Sequence, residues 1–341
     1  MLAFITGLAG ATLTRAERHF VQEAAPFGLI LFKRNVTTPD ALRRLVDEFR
    51  AAVGRQAPVL VDQEGGRVQR LGPPHWPAYP AGAAYGAVFD RDPETGRRAA
   101  RLGGRLIAND LAQLGIDVDC APVADVPAAD ADPVIGDRAY GAEPGKVAAL
   151  AGAFAAGLMQ GGVLPVLKHL PGHGRAMADS HQRLPVVTAD RATLDAVDFA
   201  AFRPLGGLPL GMTAHVVFTA VDPVAPATTS ANIVKHVIRD SIGFTGLLMS
   251  DDISMNALSG SLSERTRAAI AAACDIVLHC NGELSEMVEV AAEAPALAGD
   301  AARRAEAALA ARKPAASLDI AASRAELAKL MNDIRPEAGF G

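Results

Sequence analysis

The side chains best suited to chemistry lie in one segment, 168–181, which reads Lys-His-Leu-Pro-Gly-His-Gly-Arg-Ala-Met-Ala-Asp-Ser-His. It follows the apolar run 162–167, which is typical of a buried parallel strand. Proline and glycine then end the strand, and a long loop carries Asp179 and His181 two residues apart. A carboxylate beside an imidazole favours the charged ring and fixes its tautomer. We therefore predict that this pair performs general acid/base chemistry near neutral pH.

A second candidate is the pair of carboxylates Asp251 and Asp252, which follows the apolar run 246–250. Adjacent side chains at the end of a strand point in different directions, so that one of the two faces the interior and the other a neighbouring loop. A carboxylate in that position serves as a nucleophile, a metal ligand or a helix cap. These residues alone leave all three roles open.

Cationic and ring side chains complete the set of candidates. His169 and His173 form an H-x-x-x-H pattern. A proline and a glycine lie between them, so the two rings do not share a helical face as a zinc pair would, and we expect no metal site. Trp76 is suited either to stacking on a sugar ring or to packing in its proline-rich loop. Four cations near predicted strand ends are suited to bind hydroxyls and carboxylates: Arg67, Arg70, Arg138 and Lys168.

The composition argues against several classes of protein. The 341 residues carry a net charge of −5 without a cluster of Lys and Arg, which argues against a nucleic-acid-binding surface. The cysteines, Cys120, Cys274 and Cys280, lack metal or redox spacing and are expected as buried thiols in a reducing compartment. The uncharged stretch 147–167 is broken by glycines and a proline, and no Lys or Arg precedes Arg15. We therefore expect a soluble, cytoplasmic protein with neither a membrane span nor a secretory leader.

Short apolar runs alternate with segments of helical spacing along the chain. Helix starts are indicated by the capping-box spacing of Thr14 and Glu17, by Thr38 before Pro39, and by Ser263. This alternation predicts an α/β protein built as a single (β/α)8 TIM barrel, and not an open sheet. The eight predicted strands cover 3–6, 28–32, 58–62, 116–121, 163–169, 210–215, 246–250 and 275–280.

No linker rich in Pro, Gly or Ser divides the chain, so we expect one domain over 1–341. The barrel is predicted for about 1–294, and extra C-terminal helices on its outside for about 295–341. Barrel enzymes place their chemistry at the carboxyl ends of the strands, so the positions of the unusual polar residues predict an enzyme. Those that follow predicted strands include Asp62, Asp125, Arg138, Lys168, His169, His215 and Asp251.

Ordered motifs between residues 28 and 260 carry a family resemblance. They read Gly-Leu-Ile-Leu-Phe-Lys-Arg-Asn at 28–35, Val-Asp-Gln-Glu-Gly-Gly-Arg-Val-Gln-Arg-Leu at 61–71, Asp-Cys-Ala-Pro-Val-Ala-Asp-Val at 119–126, Ile-Gly-Asp-Arg at 135–138, Lys-His-Leu-Pro-Gly-His-Gly at 168–174, Ala-Asp-Ser-His at 178–181 and Ser-Asp-Asp-Ile-Ser-Met at 250–255. In these motifs the chain resembles the bacterial β-N-acetylhexosaminidases of glycoside hydrolase family 3, in the cytoplasmic branch that serves peptidoglycan recycling.

The resemblance implies a retaining exo-β-N-acetylglucosaminidase. Asp251 matches the family's nucleophile, His181 its acid/base, and Asp179 the partner that polarises the histidine. The implied substrates are N-acetylglucosaminyl-1,6-anhydro-muramic acid, with a β-1,4 linkage, and its peptide-bearing forms. No cofactor or metal is implied, and we expect a monomer. By the same resemblance, the N-acetylglucosamine unit is bound by Asp62, Arg70, Arg138, Lys168 and His169.

Other functions remain open from the residues. A histidine acid/base carries no negative charge when deprotonated, so phosphate is able to replace water, as in a phosphorylase of the same fold. His169, His173 and the aspartates are also the residue types of a metal-dependent barrel hydrolase. A sugar-binding protein without catalysis is a further alternative.

The loop 170–181 has two further features. By the resemblance, its tip at 175–177 lies where family members vary. The glycine-rich start of the loop predicts that it closes over bound sugar and carries His181 into place.

Overall fold

A computed structural model describes residues 1–180 and 182–332 of the chain. Its centre is a closed barrel in which each strand pairs in parallel with the next in the chain, and the last pairs with the first. The predicted (β/α)8 barrel is therefore confirmed, and each predicted run overlaps one strand. The barrel strands are β1 (Leu2–Thr6), β2 (Pro26–Leu31), β3 (Val59–Val61), β4 (Val118–Asp119), β5 (Leu164–Leu170), β6 (Leu210–Thr213), β7 (Leu247–Asp252) and β8 (Ile276–His279).

The helices between the strands begin largely where the sequence indicates. Thr14 and Glu17 form the predicted capping box, and Thr38 caps a helix that has Pro39 in its first turn. The predicted cap at Ser263 is wrong, because the cap lies two residues earlier, at Ser261, whose side chain accepts from the backbone N–H of Glu264. The α-helices are Arg15–Ala24, Pro39–Val53, Gly82–Phe89, Pro93–Ala112, Pro144–Gln160, Arg191–Thr193, Leu262–Ala271, Leu284–Glu293, Gly299–Ala310 and Ile320–Asn332, and π-helical turns cover Leu194–Asp198 and Ile233–Ser241.

Alternate residues of each barrel strand point into the barrel and fill it. On β7, Leu247 and Met249 face the interior, while Leu248 packs against the surrounding helices. Because both faces are buried, parallel strands of this kind are apolar throughout. The interior cluster draws on every strand of the barrel: Ile5, Phe27, Ile30, Leu60, Val118, Cys120, Leu164, Val166, Leu210, Met212, Leu247, Met249, Ile276 and Leu278.

Two register irregularities lie next to the mouth of the barrel. Between Met249 and Asp252, β7 advances three residues while its partner β8 advances two. In the same way, β5 advances three residues from Leu167 to Leu170 while its partner β6 advances two. An extra residue of this kind is a β-bulge, which redirects the side chains that follow it. The bulges therefore affect the polar ends of β5 and β7.

The helix Gly299–Ala310 covers the bottom of the barrel rather than its flank. Ala305 and Ala308 pack into the interior cluster. Arg304 pairs with Asp275 just before β8, and Arg312 pairs with Asp117 just before β4. The helix Ile320–Asn332 packs instead on the outside, against Pro93–Ala112. Among the described residues, no helix has the length and hydropathy needed to cross a membrane.

The carboxylate of Asp275 provides a test of how the bottom of the barrel is held. It is 4% exposed, accepts from the backbone N–H of Leu248 at 2.9 Å, and pairs with Arg239 at 2.9 Å and Arg304 at 2.6 Å. We expect Asp275→Asn to lower the free energy of unfolding by about 2–4 kcal/mol, because two partly buried guanidinium groups lose their anion. Urea denaturation would measure this loss.

Asp195→Asn is the matched control for this substitution. Asp195 also pairs with two arginines, Arg191 and Arg203, but its side chain is 35% exposed. We expect this variant to lose less than about 1 kcal/mol, because exposed ion pairs contribute little. Equal losses in the two variants would contradict the role given to Asp275.

Candidate active site

A cavity of about 310 Å³ opens at the carboxyl ends of the barrel strands. Side chains from β2, β5, β6, β7 and β8 line it, together with side chains from the loops that follow β3, β4 and β5. His181 lies outside the described residues. The other residues predicted for the site all line this cavity: Asp62, Arg70, Arg138, Lys168, His169, Asp179 and Asp251.

One side of the cavity is a network of charges centred on Lys168. Its ammonium donates to Asp62 Oδ1 at 2.9 Å, and Arg70 donates to Asp62 Oδ2 at 2.8 Å. Lys168 is 2% exposed. Burial alone raises the pKa of Asp62, but the charges of Lys168 and Arg70 outweigh burial and hold it well below its usual range. Both members of the Asp62–Lys168 pair are therefore charged at neutral pH.

Glu64 is a second anion in this network and was not among the residues predicted for the site. It accepts two hydrogen bonds from Arg138, at 2.8 and 2.9 Å, and its Oε1 lies 2.7 Å from the Lys168 ammonium. Burial opposes ionisation, but the charges of Lys168 and Arg138 lower the pKa of Glu64 to about 2. Its sequence signal was its place two residues after Asp62, in the polar run that follows β3.

A tight hairpin after β3 holds Glu64 in place. The side chain of Gln63 closes the hairpin, accepting from the backbone N–H groups of Arg70 and Leu71 at 3.0 Å and donating to the Leu71 carbonyl at 2.8 Å. Gly65 is required at the turn, because it has a φ of 93° and a Cβ there would lie 2.2 Å from a backbone oxygen of Pro80. The fold therefore fixes the direction of the Glu64 side chain.

His169 is oriented by a buried carboxylate behind it. Its Nδ1 donates to Asp125 Oδ2 at 2.7 Å, and Asp125 Oδ1 accepts from the backbone N–H of His173 at 2.7 Å. Asp125 is fully buried; burial raises its pKa, but His169 outweighs burial and lowers it. Because Nδ1 is bound to Asp125, the Nε2 edge of His169 is the one available to a ligand in the cavity.

His173 anchors the loop that carries the predicted acid/base pair. Its Nε2 lies 3.1 Å from the Ser180 hydroxyl, and burial lowers its pKa to about 4, so the ring is neutral at pH 7. At the tip of the loop, Arg175 pairs at 3.0 Å with Asp198, which is 1% exposed. Asp179 borders the cavity one residue before Ser180. Within residues 1–180 and 182–332, no three His, Cys, Asp or Glu side chains are arranged to hold a metal ion.

The two adjacent aspartates have different environments. Asp252 accepts from the backbone N–H groups of Ser254 and Cys280, at 3.0 and 3.1 Å, and from the Ser254 hydroxyl at 2.6 Å. Asp251 Oδ1 accepts from the backbone N–H of Asp252 at 2.8 Å. Burial raises the pKa of Asp251, but the histidines His215 and His169 act in the opposite sense, and the net direction is downward. The downward direction of its pKa keeps Asp251 ionised at neutral pH, while the hydrogen bonds of Asp252 support the loop that follows β7.

The remaining candidates have structural contacts. Trp76 is 8% exposed and packs edge-to-face on His75, with ring centroids 5.7 Å apart, away from the cavity. Arg67 borders the cavity but pairs with Asp137 at 2.8 Å and donates to backbone carbonyls of the loop at 133–135. The three cysteines are buried free thiols, as predicted.

Residues 3–308 match the profile described as the glycosyl hydrolase family 3 N-terminal domain. The chain belongs to this family. It is similar to a β-hexosaminidase of Alkalilimnicola ehrlichii, 42% identical over 281 residues that cover 81% of this chain and 79% of that protein. Its fold is similar to that of native NagZ from Neisseria gonorrhoeae, with a TM-score of 0.86, 33% identity, and coverage of 96% of this chain and 97% of that one. A second NagZ structure from the same organism, in complex with N-trifluoroacetyl-D-glucosamine, has a TM-score of 0.85 at 33% identity and covers 96% of this chain and 98% of that one.

Glu64 gives a prediction on acid stability. Its folded-state pKa of about 2 lies below the unfolded value of about 4.3, so its contribution is present above about pH 4.3 and is lost as the pH falls toward 2. We expect Glu64→Gln to lower the free energy of unfolding by about 2–4 kcal/mol at pH 6, because Lys168 and Arg138 lose a shared anion. The difference from the wild type should shrink steadily between pH 4 and pH 2.5.

Urea denaturation of both proteins at each pH would measure this difference. Glu48→Gln serves as the control, because Glu48 forms an ion pair with Arg18 but is 45% exposed. A loss for Glu64→Gln that stays constant from pH 6 to pH 2.5 would show that the charge of Glu64 is not what stabilises the site.

Proposed function

We propose that this β-N-acetylhexosaminidase removes terminal β-1,4-linked N-acetylglucosamine from N-acetylglucosaminyl-1,6-anhydro-muramic acid and its peptide-bearing forms. The reaction proceeds with retention, through a covalent glycosyl ester on Asp251. The observation that carries the proposal is the position of Asp251: an ionised carboxylate in the same cavity as a buried network of charged hydrogen-bonding groups.

The charged network supports a sugar subsite. Lys168, Arg70 and Arg138 supply donors, and Asp62 and Glu64 supply acceptors, so a pyranose with several hydroxyl groups finds partners of both kinds. A volume of about 310 Å³ lies at the lower end of the range for small-molecule pockets, which suits one sugar unit. The similar NagZ that binds N-trifluoroacetyl-D-glucosamine supports an N-acylated glucosamine as that unit.

In the first step, Asp251 attacks the anomeric carbon while the bond to the leaving oxygen breaks. His181, as the imidazolium, gives its proton to that oxygen, and Asp179 favours the charged ring. In the second step, neutral His181 takes a proton from water, which attacks the anomeric carbon and releases Asp251 as a carboxylate. Two inversions at the same carbon give net retention.

The distribution of the carboxylates supports a histidine as the acid. Most retaining glycosidases use a second Asp or Glu for this role. Here Asp62 and Glu64 are held by cations, and Asp252 is held by amide and hydroxyl donors. The remaining carboxylate that lines the described cavity is Asp179, which lies on the loop with His181 and suits the role of its partner.

The proposal also covers the cellular compartment, the oligomeric state and the cofactor requirement of the enzyme. We place the enzyme in the cytoplasm, where it acts as a monomer on fragments of turned-over cell wall, without a metal or cofactor. Support comes from the sequence motifs it shares with the recycling branch of the family and from the buried free thiols, which suit a reducing compartment.

Asp251→Asn should abolish cleavage of a chromogenic β-N-acetylglucosaminide while the melting temperature stays close to that of the wild type. The amide has nearly the same shape but is not a nucleophile. In the wild type, a 2-fluoro sugar with an activated leaving group should leave a glycosyl ester on Asp251, which peptide mass spectrometry would locate. A label on Asp252 would overturn the choice within the pair.

His181→Ala should slow natural substrates far more than aryl glycosides with acidic leaving groups. We expect a loss of about 10³-fold for the natural substrates, within the range of general acid catalysis, because an acidic leaving group needs little protonation. Asp179→Ala should show the same pattern more weakly. Steady-state rates across a leaving-group series measure this dependence. Equal losses for good and poor leaving groups would exclude the acid/base role.

A further inference from the structure

His215 lies just after β6 and is fully buried. It contacts the backbone of Asp252 and the side chain of Thr228, but it does not line the cavity itself. Its Nε2 is 2.9 Å from the backbone carbonyl oxygen of Asp252, and its Nδ1 is 2.7 Å from the hydroxyl of Thr228. The Thr228 hydroxyl is in turn 2.7 Å from that of Thr213. The Thr213 hydroxyl accepts from the backbone N–H of Asp251 at 3.4 Å.

The chemistry of these groups assigns the direction of each hydrogen bond. A carbonyl oxygen only accepts, so His215 Nε2 carries a proton and donates to Asp252. Burial lowers the pKa of His215, which favours the neutral ring, and Nδ1 then accepts from the Thr228 hydroxyl, which shares its single proton with the Ala214 carbonyl oxygen at 3.1 Å. Thr228 accepts from Thr213, and Thr213 accepts from the Asp251 amide. The bonds run in one direction and form a closed ring through the Asp251–Asp252 dipeptide.

This ring acts where the strand itself is irregular. Regular pairing of β7 with β6 ends at Met249, and the β7 bulge toward β8 lies between Met249 and Asp252. The backbone around Asp251 is therefore held by side chains where a regular ladder would use main-chain bonds. The Thr228 carbonyl also accepts from the Cys274 thiol at 3.5 Å, which ties the ring to the start of β8.

We propose that His215 is a positioning residue that, through Thr228 and Thr213, holds the Asp251–Asp252 backbone and so sets the Asp251 carboxylate at the distance required for attack. This inference rests on the proposed role of Asp251 as the nucleophile. His215 itself touches neither the sugar nor the reacting atoms. Its contribution is to the geometry of the step, in which a displacement of about 1 Å costs about 100-fold in rate.

The test compares His215→Gln, His215→Asn and His215→Phe. The amide nitrogen of Gln reaches the place of Nε2 and keeps the donation to the Asp252 carbonyl, whereas Asn reaches only as far as Nδ1 and Phe donates nothing. We expect kcat on an activated aryl β-N-acetylglucosaminide to fall by about 100-fold for Asn and Phe, and by less than about tenfold for Gln. Thr228→Val, which is isosteric, should lose about tenfold, because it breaks the ring at its middle.

Measurements of substrate binding distinguish a positioning role of His215 from general damage to the fold. The sugar-binding groups lie on β5 and on the loops that follow β3 and β4, so KM and the inhibition constant of N-acetylglucosamine should change by less than about threefold in every variant. His279 provides the matched control. It is also fully buried at the end of a strand, β8, and its Nε2 bonds to Glu286 at 2.9 Å. We expect His279→Gln and His279→Phe to lower the melting temperature but to leave kcat near that of the wild type.

Several results would overturn the inference. Wild-type kcat in His215→Phe would do so, as would equal losses in the Gln, Asn and Phe variants, or the same loss in His279 variants with an equal drop in melting temperature. If His215→Phe does not fold, the comparison of Gln, Asn and Thr228→Val decides the question. Asp251→Asn is measured in parallel: its activity would remove the nucleophile and this inference together, whereas an inactive Asp251→Asn beside a fully active His215→Phe would remove the positioning role alone.

Discussion

The burial of the Lys168 ammonium is the constraint around which the mouth of the barrel is organised. A charge removed from water is tolerated only with anionic partners, and here Asp62 and Glu64 supply them. Each partner is neutralised in turn by an arginine, Arg70 or Arg138. The ion pairs thereby join β5 to the end of β3, to its hairpin and to the loop after β4. The same groups that satisfy one another are the ones a sugar would meet, so stability and recognition share one set of side chains.

Much of the fold could be read from the sequence, because each barrel strand is a short apolar run between helical segments. The faces of those strands could not be assigned, since Leu247, Leu248 and Met249 are all apolar although only the first and third point inward. The choice of Asp251 over Asp252 therefore depended on family resemblance. In the structure both carboxylates line the cavity, and they differ in their contacts: Asp252 accepts from Ser254 and Cys280, whereas Asp251 accepts from the backbone N–H of Asp252.

The candidate site was predictable in its residue types and less so in its geometry. Glu64 was missed because a carboxylate in a polar turn has no sequence signal that distinguishes a buried ion-pair partner from a solvated one. The bulges in β5 and β7 were also unpredictable, since register depends on partner strands distant in the chain. Both bulged strands pair with β6, whose Thr213 and the following His215 contact the irregular backbone of β7. The support of the site thus depends on pairings that no local pattern encodes.

The helix at the base of the barrel has a consequence for biosynthesis. β1 pairs with β8, the Ala3 amide donates to the Pro295 carbonyl at 2.8 Å, and the interior is covered at its lower end by Ala305 and Ala308. β1 finds its partner β2 nearby in the chain, but its other partner, β8, is synthesised far later, since Phe4 pairs with Val277. The nascent protein therefore carries an unclosed sheet, with an uncovered apolar lumen, through most of translation. Exposed apolar surface of this kind favours aggregation of an incomplete chain until the helix Gly299–Ala310 covers the lumen.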